Sequence, residues 1–269
     1  ARRLYFSRDS FGGLFFCLYN FMNTDLYWTV VNKLRSFFIS KGFHDDVDRR
    51  RGNILAACED PETIATYESN GKVWPLPQTG QLWLEHELLT NPLSIGYFCQ
   101  STSYRKEPNP VKGRHEDVFH MFEFEMHGGI EDLIKIELEL CEYLELPQLE
   151  IGTYSDWARK FDVSKLNYEH EKQIGYGMIT DFPKWESSFW NTSNKVDVIL
   201  NGMETIGGAE RSCDRDEMRS KFYNGVYDIH LIGRFGSKVE RELERYLDHN
   251  FFPRCGAGIG VSRLMSCYN

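Results

Sequence analysis

Two runs near the middle of the chain, residues 97–107 and 118–127, alternate apolar and polar positions and are joined by a basic loop containing Pro108 and Pro110. In the second run Phe122, Phe124 and Met126 share one parity, and Phe119, Met121, Glu123 and Glu125 share the other. A strand there has an oily back and an acidic, aromatic front, a sorting no helix achieves. Further strands are expected at 196–200, at 203–206 and in the segment entering Gly256. Leu14 to Met22 is apolar but too short to span a bilayer, and reads as a packed strand.

Helical spacing appears elsewhere. A helix over 24–41 is expected with Thr24 as its cap, Leu26, Val30, Leu34 and Phe37 or Phe38 on one stripe, and Gly42 as its stop. Others are expected at 130–144, 214–223 and 237–248, the last with Val239, Leu243, Tyr246 and Leu247 on one face. The strands arrive as hairpins more than as βαβ units, so the fold class is α+β: an antiparallel β-sheet flanked by helices. No repeat, low-complexity block or long linker divides the chain, and one domain spanning 1–269 is expected.

Composition narrows the functional classes. A formal charge of −9 on 269 residues argues against a protein that lives on nucleic acid. The seven cysteines form no CxxC pair, which excludes a recognisable zinc motif and a disulfide framework and fits a reducing cytosol. Asn191-Thr192-Ser193 has the letters of a glycosylation sequon and reads as an unmodified loop. His86-Glu87 and His170-Glu171 lack the second histidine of a zinc-protease helix, and neither a Walker loop nor Gly-x-Ser-x-Gly occurs.

Chemistry concentrates in the second half. Asn201-Gly202 is the preferred two-residue type I′ turn, so Leu200 faces Met203 and Ile199 faces Glu204. Asp197 then projects on the face of Glu204 as a diagonal neighbour at roughly 7–8 Å, either as a cation-binding pair or as two acids of a solvated hairpin. Magnesium prefers such hard oxygen ligands with room for phosphate and water. Gly207-Gly208 reads as a bulge or a close backbone approach, and a one-residue bulge turns Arg211 onto the face of Glu204, where it can grip a carboxylate. Gly256-Ala-Gly-Ile-Gly fails as a dinucleotide loop, since its third glycine is misplaced. It leaves a glycine-rich strand followed by Arg263, placed to cover a purine or meet a terminal phosphate.

These pieces, in this order, resemble the catalytic domain of class II aminoacyl-tRNA synthetases of the aspartate and asparagine branch, and the related asparagine synthetases that lack a tRNA-reading domain. The resemblance runs from about Thr24 to the C-terminus. Arg105-Lys-Glu107, Arg114-His115 and Phe119 look like motif 2, and Gly256 to Arg263 like motif 3. Thr79-Gly-Gln81-Leu82 with Glu85 looks like the amino-acid-binding segment of asparaginyl enzymes, and Cys58-Glu59 like the start of their mobile loop. Asn53 stands where the motif 1 proline is expected, and Glu123 where the family has aspartate.

The resemblance implies that Arg105 holds the α-phosphate and the attacking carboxylate of the substrate. Phe119 and Arg263 would sandwich adenine, Glu107, Arg114 and His115 would join the nucleotide-binding set, and Asp197 with Glu204 would hold Mg²⁺ brought with ATP. Gln81 and Glu123 would receive the substrate ammonium, Glu59 would close over it, and Glu85 and Arg211 would read its distal group. A cytoplasmic homodimer is implied, with residues 1–23 as an N-terminal extension. With no anticodon-binding domain expected before Thr24, tRNA is an unlikely partner and the membrane is none. The implied reaction is adenylation of aspartate or a close analogue, followed by transfer to ammonia or another amine. The alternatives are the core of an asparaginyl-tRNA synthetase and a non-catalytic amino-acid- or nucleotide-binding paralogue.

Overall fold

The computed structural model describes residues 23–46, 54–111, 114–183, 188–225 and 227–268. The expected strand at Leu14 to Met22, Asn53 and the arginines just before it lie outside the described residues. Helix α1 (Thr24–Ser40) is capped by Asn23, not Thr24, because the Asn23 side chain reaches back to accept from the Leu26 N–H at 3.2 Å. Gly42 ends it with φ +85°, a conformation costly for other residues.

The chain then runs through β1 (His44–Asp45), the hairpin β2 (Thr66–Ser69) and β3 (Lys72–Pro75), α2 (Gln81–Thr90), β4 (Gly96–Tyr104), β5 (Val118–His127) and α3 (Ile130–Tyr143). It continues with β6 (Glu150–Thr153), α4 (Tyr154–Lys160), α5 (Tyr168–Ile174), β7 (Gly177–Thr180), β8 (Asn191–Leu200) and β9 (Met203–Arg211). It closes with α6 (Arg215–Asn224), α7 (Gly233–Phe235), α8 (Ser237–Leu247), β10 (Arg254–Gly260) and α9 (Val261–Met265). Asn191 belongs to a strand, contrary to the loop expected around the sequon.

Eight strands form one sheet in the order β1-β4-β5-β10-β9-β8-β7-β6. Only the edge pairs β1–β4 and β6–β7 are parallel; the six strands between are antiparallel neighbours. The expected α+β class is therefore the observed one. On the back of the sheet Phe38 of α1 meets Phe122 and Phe124 of β5 at centroid distances of 5.5 and 4.8 Å. All three rings are fully buried, each stabilising the fold by roughly 1.5–3 kcal/mol. Leu133 and Leu140 of α3 and Leu264 of α9 complete this core. A second apolar cluster joins Ile54 and Leu55, Leu82 and Leu89 of α2, Met218 and Phe222 of α6, and Leu243 and Leu247 of α8.

The β8–β9 hairpin fixes the geometry that matters most. Asn201 and Gly202 both have positive φ, 50° and 76°, as a type I′ turn requires. Leu200 pairs with Met203 and Ile199 with Glu204, as the turn predicts, but Val198 pairs with Ile206. Thr205 is therefore the extra residue, and its hydroxyl donates to the Met203 carbonyl at 3.0 Å. The bulge lies at Thr205, and of the two readings of Gly207-Gly208 the structure shows the close approach, since a Cβ at either would meet a neighbouring side chain at 2.9 Å. The bulge still brings Gly207, Ala209 and Arg211 onto the face of Glu204, because one inserted residue reverses the alternation beyond it.

Candidate active site

The front of the sheet opens into a cleft of about 480 Å³ lined by Arg105, Glu107, Arg114, His115, Phe119, Glu123, Glu204 and Arg263, with Glu59 and Gln81 at one side. A second chamber of about 420 Å³ shares Glu59, Gln81, Glu204 and Gly207 with it and continues to Asp197, Lys195 and Arg211. Residues from the end of β4, the following loop, β5, β9 and α9 thus meet in one place. Glu85 lines neither chamber.

Arg105 follows β4 directly, and its N–H donates to the Asp117 carbonyl across the loop at 2.9 Å. Its guanidinium lies 5.6 Å from the Phe119 ring, and its buried Nε has no hydrogen-bond partner among the described residues. A buried cationic donor in that state calls for an anionic oxygen. Arg263, in the first turn of α9, donates from Nη1 to the Glu204 carbonyl at 2.5 Å and from Nη2 to the Arg114 carbonyl at 3.4 Å. Burial pulls its pKa below the usual arginine range. His115 accepts from the Val111 N–H through Nδ1 at 3.2 Å.

The two acids of the hairpin converge over Gly207. A Cβ at that glycine would lie 2.9 Å from Glu204 Oε1 and 3.6 Å from Asp197 Oδ1, so any larger residue would fill the space between them. Asp197 Oδ1 is buried without a hydrogen-bond partner among the described residues, while Oδ2 pairs with Lys195 Nζ at 2.9 Å. Burial and the Glu204 charge push Asp197 upward, with Lys195 partly opposing. Burial also opposes ionisation of Glu204, but Lys195, Arg263, Arg114 and Arg105 outweigh it and hold that carboxyl below its ordinary value. No group of three or more His, Cys, Asp or Glu among the described residues is placed to hold a metal. The pair fits a Mg²⁺ ion that shares its remaining positions with phosphate and water, since it offers hard oxygens and one orphaned acceptor.

Glu123, one of the acids of the β5 front, is 1% exposed and held from three sides: the Thr79 hydroxyl, the Gly80 N–H at 2.6 Å and the Ser101 hydroxyl all donate to it. Burial raises its pKa despite these bonds. Arg211 is buried against Glu125, donating from Nε at 3.1 Å and also from Nη2, and its Nη1 donates to Asn191 Oδ1 at 2.5 Å. Glu85 lies behind Arg211, with Oε1 3.5 Å from its Nε, and accepts from Arg254 Nη2 at 2.7 Å and Tyr246 at 2.6 Å. The residue expected to read the substrate thus sits in a buried ion network beneath Arg211.

The 3-10 turn Ile54–Ala57, which leads to Cys58 and Glu59, is anchored by Glu242 of α8. Glu242 Oε2 accepts from Ile54 N at 2.5 Å and Leu55 N at 3.2 Å. Burial pushes this carboxyl up to about 7 from an ordinary 4.5, against the two backbone bonds. The folded protein therefore holds a proton that the unfolded chain releases. That contribution to stability is complete below about pH 4.5 and is lost as pH rises through about 7. Glu242→Gln should flatten the decline, which is on the order of 2 kcal/mol for a half-buried group. Urea midpoints across that range will check it.

Three site groups carry no strong local signal. Glu125 shares the parity of Glu123, and Lys195 that of Asp197, so both were visible as face-mates without visible partners. Glu171 donates nothing to any motif, yet accepts from Arg114 across 57 residues of sequence at 2.9 Å.

The fold and site together define a class. The profile of the tRNA synthetases class II (D, K and N) matches residues 23–268, and the chain belongs to this family. No curated protein sequence matches it. Among solved structures it is similar to asparaginyl-tRNA synthetase from Pyrococcus horikoshii complexed with asparaginyl-adenylate, at 20% identity and TM-score 0.74 over 90% of this chain and 64% of that one. The Entamoeba histolytica asparaginyl-tRNA synthetase with asparaginyl-adenylate gives 18% and 0.71 over 90% and 62%. The aspartyl enzyme of that organism gives 16% and 0.69 over 91% and 55%. The chain thus spans less than two thirds of the length of these proteins. No helix among the described residues is long and apolar enough to cross a membrane.

Proposed function

We propose that this chain activates aspartate or a close analogue by adenylation in the cleft and passes the acyl group to ammonia or another amine. One observation carries the reading: Arg105, Phe119, Arg263 and the Asp197–Glu204 pair come from four separate stretches of chain and line two connected chambers. A substrate carboxylate oxygen attacks the α-phosphorus of ATP, the bond to the bridging oxygen breaks, and pyrophosphate leaves. The amine nitrogen then attacks the acyl carbon, AMP departs, and the nitrogen loses a proton. No side chain acts as nucleophile. Arg105 stabilises the charge that grows on phosphorus, Phe119 and Arg263 flank adenine, and Arg114 and His115 meet the outer phosphates. Gln81 and Glu123 receive the substrate ammonium, with Glu59 near. Asp197 and Glu204 would hold Mg²⁺, which neutralises phosphate charge when bound.

A second reading is favoured by Arg211. Its positive charge is already met by Glu125 and its Nη1 by Asn191, so the distal group of the substrate meets a neutralised guanidinium. That suits the amide of asparagine, and with it an asparaginyl-adenylate destined for tRNA.

ATP, aspartate and ammonium together should yield AMP and an amide. Asparagine-dependent pyrophosphate exchange with tRNA charging would select the second reading. Absence of both AMP formation and amino-acid-dependent pyrophosphate exchange across a panel of amino acids would refute both.

A further inference from the structure

Arg114 is held by a residue outside the recognised motifs. Its Nη1 and Nη2 donate to Glu171 Oε2 and Oε1, both at 2.9 Å, in a bidentate pair. Its guanidinium also lies 5.7 Å from the Tyr168 ring on the same helix, α5. Glu171 Oε2 accepts a third bond, from the backbone N–H of Glu204 at 3.0 Å. One carboxylate therefore ties the loop after β4 to the strand that carries an acid of the proposed metal pair.

The attachment of α5 is itself built. Gly202 donates to the Gly175 carbonyl at 2.8 Å, and a Cβ at Gly202 would stand 3.0 Å from Lys172 Cα. The β8–β9 turn and α5 are in direct backbone contact there. We propose that Glu171 is a positioning residue that aims Arg114 at the outer phosphates of the nucleotide, an inference that rests on the adenylation reading above.

The geometry favours aiming over blocking. A bidentate pair consumes one edge of the guanidinium, and the Nε edge carries no hydrogen bond among the described residues. Arg114 can keep Glu171 and still present two donors to a phosphate. A latch that released Arg114 would instead break both bonds and leave a half-buried glutamate facing three phosphates.

Calorimetry of Mg²⁺–ATP and of AMP separates these cases. Glu171→Ala should weaken ATP about tenfold, the loss of an oriented charge-assisted contact, and change AMP by less than about twofold. In the Arg114→Ala background it should cause no further loss, since its effect runs through that arginine. ATP affinity unchanged or tightened, a parallel fall for AMP, or full additivity with Arg114→Ala would overturn the inference. If the unaltered protein failed to bind ATP, the adenylation reading would fall and take this with it. Intact ATP binding indifferent to Glu171→Ala would remove this inference alone.

Discussion

Arg105→Ala is expected to lower AMP formation by at least about 10²–10³-fold, the scale seen when one donor to a developing oxyanion is removed. The expectation rests on where the guanidinium is and on what it lacks. It lies against Phe119, its Nε is buried without a partner, and it enters no ion pair among the described residues. Its loss should therefore cost catalysis and not the fold. Amino-acid-dependent pyrophosphate exchange together with circular dichroism will check this; near-normal exchange in the mutant would contradict the role given to Arg105.

Glu85→Ala should act in the opposite way. Glu85 is fully buried, and its removal leaves Arg254, also fully buried, without its carboxylate. Breaking a buried ion pair from one side costs on the order of 3–5 kcal/mol, a fall in Tm of roughly 10 °C in a chain of this size. Tyr246 would lose its acceptor as well. The double variant Glu85→Leu with Arg254→Met should recover part of that loss, since it removes the stranded charge. An unchanged Tm with lost amino-acid binding would instead return Glu85 to direct contact with substrate.

These two residues show what the letters carry. Arg105 was legible through the resemblance, as the first residue of the motif 2-like Arg105-Lys-Glu107 at the end of the run expected at 97–107. The alternation in β5 likewise separated Phe122 and Phe124 from Glu123 and Glu125 before any coordinates. The Asn201-Gly202 turn gave the register of the next hairpin near its tip. The bulge position was not legible, because the two glycines that signalled it serve close approach instead: a Cβ at Gly208 would meet Glu137 Oε1 and Leu133 Cδ2 at 2.9 Å. Helix α2 was not legible because its buried face, Gln81, Leu82, Leu84, Glu85, Leu88 and Leu89, carries two polar residues while the apolar Trp83 lies off it, so the letters show no clean apolar stripe. Glu85 and Glu171 find their partners only through tertiary structure. Spacing along the chain carries no trace of an ion pair with Arg254 or Arg114.

A crystal structure with ATP, Mg²⁺ and aspartate or asparagine tests the central claim most directly. The account predicts adenine between Phe119 and Arg263, and one carboxyl oxygen of the amino acid about 3 Å from the α-phosphorus beside Arg105. Nucleotide bound elsewhere on the protein, or phosphates turned away from Arg105 and the Asp197–Glu204 pair, would contradict it.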